Sequence, residues 1–192
     1  MIDLLIKNGL IVDGTGSPGF HGAAAVTGDT VHIWRGDVSS LESTRTIDAT
    51  GKVVCPGFID IHAHSALAPL WEPRHEPKVR QGITTELIGV DGNSYAPFRS
   101  QDDLLQFAEL NSGLEGSLPL PGQWSSVAEY LDLFDRKVAV NIAYIIGNSA
   151  IRIGAMGWED RPASPADIQS MRAIMREGME EGAFGISTGL DY

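Results

Sequence analysis

Two of the chain's five histidines, His62 and His64, stand one residue apart at the end of the run PGFIDIHAHSAL, residues 56–67. On an extended strand, residues i and i+2 point to one face. Both imidazoles can therefore converge on a single cation of the kind zinc typifies. Two half-exposed strand histidines would show the same spacing. Asp60 on the same face, an otherwise apolar strand and the leading PGF weigh toward metal. A further candidate ligand is Asp91 in TTELIGVDGNSYAP, where Gly89 and Gly92 let the chain turn sharply around a carboxylate. An Asp-Gly turn in which Asp91 bonds its own backbone is the competing reading. The third segment, IIGNSAIR, ends a buried strand in Gly147, Asn148 and Ser149, with Arg152 just beyond. Its guanidinium suits a substrate carboxylate, or else an internal ion pair. GISTGLDY sets Ser187, Thr188, Asp191 and Tyr192 in a similar place, or forms a simple turn.

Each of these groups needs a strand end to hold it. DLLIKNGLIVDGTG reads as a hairpin about Asn8-Gly9, and GAAAVTGDTVHIWRGDV as another about Gly28-Asp29. TRTIDATGKVVC adds two strands and a turn at Thr50-Gly51, so residues 1–55 are all β, with five or six strands. From Gly57 strands alternate with helices. FIDIHAH, ITTELIGV, VAVNIAYIIGNSAIR and AFGIST are strands, the third buried on both faces. EPKVRQG, SQDDLLQFAELNSG, SVAEYLDLFDRK and SPADIQSMRAIMREGMEEG are helices. Ser100 and Ser164 serve as N-caps and Gly182 as a helix stop. The alternation implies a parallel sheet with helical crossovers.

Composition narrows the partners. The net charge of −11 over 192 residues disfavours nucleic acid and anionic membranes. No apolar run reaches the roughly 18–20 residues of a membrane span, and the N-terminus has no basic segment leading an apolar one. The single cysteine, Cys55, fits a reducing, cytoplasmic setting and reads as a small buried hydrophobe. His21, His32 and His75 are taken as structural or surface residues.

Taken in order, DLLIKNGLIVDGTGSPGF, GKVVCPGFIDIHAHS, QGITTELIGVDGNSYAP, GNSAIR and EEGAFGISTGLDY resemble the amidohydrolase superfamily, and within it the N-acyl-D-amino-acid deacylase (D-aminoacylase) family. The resemblance implies an α/β fold: a partial (β/α)8 TIM-type barrel over residues 56–192, preceded by part of a small β-sandwich over 1–55. It implies zinc or another divalent metal at the barrel mouth, and hydrolysis of a linear amide in a small-molecule substrate. His62 and His64 match the family's first-strand ligands. Asp91 stands where a metal-binding cysteine is common, and offers a harder oxygen donor. Asn148 stands where a histidine is common. The family's later histidines and its late-barrel catalytic aspartate have no counterpart in these 192 residues. The resemblance therefore implies an N-terminal portion, inactive alone, with no catalytic residue of its own. Arg152 and Tyr192 are candidates to touch substrate. Two other functions fit less of the pattern. One is a non-catalytic half-barrel or binding module. The other is a hydantoinase-like cyclic-amide hydrolase, whose bridging lysine is missing from VNIAYIIGN.

Overall fold

The computed structural model describes residues 1–117 and 119–189. It divides into two compact units, Met1–Gly57 and Phe58–Tyr192.

The first unit is a five-stranded sheet. Strand β1 (Ile2–Ile11) pairs antiparallel with β2 (Phe20–Thr27), which pairs antiparallel with β3 (Thr30–Arg35). Strands β4 (Ser43–Asp48) and β5 (Val53–Val54) both run parallel to β1, one after the other along it. Leu5, Ala23, Ala25 and Val38 form the core, with Ile2, Trp34 and Leu41 packed on it. The β2–β3 hairpin closes at Gly28-Asp29 as the sequence predicts. Asn8-Gly9 differs: it is a bulge inside one continuous strand, not a hairpin. Asn8 takes a left-handed φ of 67°, and its side-chain amide donates to Asp48 Oδ1 at 3.0 Å. A Cβ on Gly9 would lie 2.7 Å from Val54 Cγ2. Packing against the neighbouring strand thus overrides the turn preference of the dipeptide. Cys55 is exposed, which corrects its reading as a buried hydrophobe; it follows the two-residue β5 rather than lying within a covered strand.

The second unit alternates strands and helices. Its elements are β6 (Phe58–Asp60), α1 (Ala68–Trp71), α2 (Glu76–Val79), β7 (Ile83–Ile88), α3 (Gln101–Leu110), α4 (Ser112–Glu115), α5 (Val127–Asp132), β8 (Asn141–Tyr144), β9 (Ile146–Gly147), α6 (Asn148–Met156), α7 (Pro165–Glu180) and β10 (Ile186–Ser187). β6, β7 and β8 pair in parallel in that order, and β9 pairs in parallel with β10. The 145–146 backbone links the two sets: Ile145 N–H donates to Ile88 O at 3.0 Å and Ile146 N–H to Gly185 O at 2.9 Å. The parallel pairing follows from the crossover helices, as the alternation predicts.

Helix starts are set by side chains. Ser100 Oγ accepts from Asp103 N–H at the start of α3. Ser126 with Glu129, and Ser164 with Asp167, form reciprocal capping boxes on α5 and α7. One face of the sheet is covered by an apolar core. Ile88, Tyr144 and Ile146 from the strands meet Tyr95, Phe107 and Tyr130. Phe58, Ile59, Phe184 and Ile186 are exposed. The expected long strand through IIGNSAIR is shorter than predicted. It ends at Gly147, and Asn148–Arg152 open α6 instead. Ile142 and Ala143 are only partly buried, so β8 is not covered on both faces by described residues.

Candidate metal centre

The strand that leads to the histidines is also shorter than the sequence suggests. β6 stops at Asp60, because Asp60 Oδ1 accepts the backbone N–H of His62 at 3.1 Å and turns the chain out of the sheet. His62 and His64 therefore sit on the loop after β6, not on the strand. That loop stays close to the sheet: Ala63 N–H donates to Leu87 O at 3.3 Å. The convergence expected from strand alternation is achieved by loop geometry instead.

Asp91 arrives from β7. The turn after that strand holds Gly89, Asp91 and Gly92 at φ 87°, 55° and 82°. Three left-handed or near-left-handed sites within four residues need glycine or a short polar residue, which is the combination present. A Cβ at Gly89 would overlap the carbonyl of Ile145. The turn is fastened from later elements. Gly92 N–H donates to Ser187 Oγ at 2.9 Å, and the Ser187 hydroxyl donates to the Gly89 carbonyl. Ser149 N–H donates to the Gly92 carbonyl at 3.2 Å.

The two loops bring three donor atoms together. His62 Nε2 lies 2.9 Å and His64 Nε2 3.0 Å from the same oxygen, Asp91 Oδ2. The imidazole rings meet edge to face with centroids 5.5 Å apart. One ligand atom from each of the three residues lies within 4.8 Å of the others. The histidine side chains are 60% and 24% exposed and that of Asp91 39%, so the group is open to solvent on one side. Two imidazoles and a carboxylate, with an open side, are a donor set that fits a divalent cation keeping a free coordination position.

The surroundings are charged and buried. Asp60 is held below the usual carboxylate range, first by the Lys78 ammonium that bonds it and then by the His62 N–H. Lys78 is drawn down by burial, but its bonds to Asp60 and Glu86 outweigh this and leave it raised. Glu86 is fully buried on β7, and Glu115 is buried at the end of α4. Burial raises the Glu115 carboxyl, opposed by the N–H of Leu67, the charge of His64 and the N–H of Ala66.

Among the sequence-suggested residues, His62, His64 and Asp91 come together. Arg152 lies on α6 and does not join them; its Nη2 donates to the Glu159 and Arg161 carbonyls at 3.1 and 2.8 Å. Asn148 Oδ1 accepts the Gly189 N–H at 3.1 Å. Asp191 and Tyr192 lie outside the described residues. Glu86 and Glu115 were not singled out from the sequence. A lone glutamate inside the apolar run ITTELIGV is the signal that marks Glu86; nothing in the local sequence marks Glu115.

Among the described residues no helix is long and apolar enough to cross a membrane. Residues 45–191 match the model of the Amidohydrolase family. The chain is 36% identical over 191 residues to the D-aminoacylase of Alcaligenes xylosoxydans xylosoxydans, covering 99% of this chain and 38% of that one. It is 34% identical to the N-acyl-D-aspartate deacylase of the same organism, covering 99% and 37%. The structure of the N-acyl-D-glutamate deacylase of Bordetella bronchiseptica, complexed with zinc and a phosphonate inhibitor, superposes with a TM-score of 0.85. That match is at 32% identity and covers 100% of this chain and 39% of that one. The chain thus spans about two fifths of the length of these relatives. It belongs to the amidohydrolase family, and along its whole length it is similar to the family's N-acyl-D-amino-acid deacylases.

Proposed function

We propose that the chain is the N-terminal portion of a metal-dependent hydrolase that cleaves the amide bond of an N-acyl-D-amino acid. Its second unit is the first half of a (β/α)8 barrel, and its first unit is part of a small β-sandwich. The observation that carries the reading is the meeting of His62 Nε2 and His64 Nε2 on one oxygen of Asp91. Parallel strands whose following loops hold the candidate ligands are what barrel active sites are built from. Likeness to deacylases that hydrolyse N-acyl-D-amino acids supplies the substrate class.

In this reading His62, His64 and Asp91 hold zinc or a related divalent ion. A cation there supplies Lewis-acid chemistry, polarising the amide carbonyl and making water a better nucleophile near neutral pH. The histidines donate as neutral imidazoles, and Asp91 contributes negative charge that offsets the cation. The open side of the group admits the acyl carbonyl. Arg152 and Tyr192 are assigned to the substrate, the guanidinium to its carboxylate. The 192 residues alone lack the later reacting groups of the family and hydrolyse nothing by themselves.

The test is elemental analysis of the full-length protein together with release of amino acid from an N-acetyl-D-amino acid. His62→Ala and His64→Ala are expected to lose bound metal and activity together. Full metal content in both variants would overturn the site. Arg152→Lys is expected to raise KM at unchanged kcat; unchanged KM returns Arg152 to holding the 159–161 loop.

A further inference from the structure

The loop that carries His62 and His64 is gripped at both ends by one buried carboxylate, Glu86. At the far end, Ser65 Oγ donates to Glu86 Oε2 at 2.7 Å, one residue past His64. At the near end the link has two steps. Lys78 Nζ lies 2.8 Å from Glu86 Oε1 and donates to Asp60 Oδ2 at 2.6 Å; Asp60 Oδ1 then takes the His62 N–H. His75 Nε2 adds a contact to Glu86 Oε2 at 3.1 Å.

We infer that Glu86 is a positioning residue for the metal centre, fixing where both imidazoles point through the ring Glu86–Lys78–Asp60–His62 and the bond Glu86–Ser65. The inference rests on His62 and His64 being metal ligands.

Three physical features support it. Glu86 has no exposed surface, so its charge must be met by protein groups, and Lys78, Ser65 and His75 are those groups. Ser65 and His75 both bond Oε2, while Oε1 makes no hydrogen bond and faces the Lys78 ammonium at 2.8 Å as an ion pair, so the carboxylate is held from both sides and works as a fixed post. Glu86 also stands on β7, the strand that delivers Asp91, so one rigid element references all three candidate ligands. A purely stabilising ion pair would have no reason to enclose the 60–65 segment; this one touches it on both sides of the histidines.

The post acts through others and touches neither metal nor substrate. Loosening it leaves both imidazoles present but free to turn. Outer partners of this kind typically alter metal affinity by about 10- to 100-fold.

The experiment compares wild type with Glu86→Gln, Ser65→Ala and Lys78→Met in the full chain, after circular dichroism shows each folded. Zinc affinity by competition titration is expected to fall about 10- to 100-fold in Glu86→Gln and less in Ser65→Ala. The cobalt-substituted proteins should show changed visible bands, a readout of ligand geometry that general destabilisation does not move. Wild-type affinity and wild-type cobalt bands in a folded Glu86→Gln would overturn the inference. Should Glu86→Gln fail to fold, Ser65→Ala and Lys78→Met decide by the same criteria. If wild type binds neither zinc nor cobalt, the metal reading fails on its own. Amide hydrogen exchange at His62 then tests the grip: faster exchange in Glu86→Gln, Ser65→Ala or Lys78→Met supports it, and unchanged exchange in the folded variants overturns it.

Discussion

Gly147 and Gly92 meet with no room for a side-chain carbon: a Cβ on Gly147 would overlap the carbonyl of Gly92. The last residue of β9 thereby sets how far the Asp91 turn can come forward. Gly147→Ala must push that turn away or displace β9. Overpacking of this kind costs about 1–3 kcal/mol. The expected outcome is lower stability in urea unfolding and weaker zinc binding in the same variant. Weaker stability with unchanged zinc affinity would show that the turn absorbs the methyl without moving Asp91.

At position 91 the backbone and the proposed metal ask for different things. A φ of 55° favours aspartate or asparagine among side-chain-bearing residues. Asp91→Asn keeps that conformation and removes the anionic donor, so zinc affinity should drop with little change in melting temperature. Asp91→Cys offers a softer thiolate. It should bind zinc more tightly relative to manganese than the wild type does, at some loss of stability. Competition titration with the two metals checks both; equal selectivity in wild type and Asp91→Cys would count against direct ligation.

The Tyr130 hydroxyl donates to the Ala66 carbonyl at 2.6 Å from a fully buried position. Tyr130→Phe strands that carbonyl, and an unpaired buried acceptor costs about 1–3 kcal/mol. Ala66 is two residues from His64, so metal affinity should fall with stability. Thermal unfolding with and without zinc checks this, the shift produced by zinc being smaller in the variant.

Glu115 gives a pH signature. Its carboxyl is raised by burial in the folded chain. A raised carboxyl favours the folded state while protonated. That contribution is complete below the ordinary glutamate pKa of about 4.3 and is lost as pH rises through the folded value. Glu115→Gln imitates the protonated form. Its melting temperature should match wild type at acid pH and exceed it increasingly toward neutral pH. An offset that does not vary with pH would exclude burial of the charge as the cause.

The parallel β/α order and the helix caps at Ser100 and Ser164 were legible because each depends on local pattern, and residue type marked His62, His64 and Asp91 as candidates, though a loop and not the expected strand brings the histidines to Asp91. What was not legible depends on distant partners. The Asn8-Gly9 pair has every local mark of a hairpin, yet Asp48 and Val54 make it a bulge. IIGNSAIR looks apolar enough for one strand, but Gly147 abuts Gly92 and the next residues coil into α6. Cys55 has apolar neighbours in sequence and open surroundings in space. The Glu86 network joins residues from β6 to β7, and only the fold reveals that they share a point.

The hydroxyl of Ser187 closes the Asp91 turn from 95 residues further along the chain. Such a contact forms late, because loop-closure entropy must be met before it can be made. During synthesis His62, His64 and Asp91 leave the ribosome well before Ser187 does, so the nascent chain carries its candidate ligands without the clasp that shapes one of them. Under the proposed function, an ion met before β10 is complete would find Asp91 on a turn not yet fastened by Ser187.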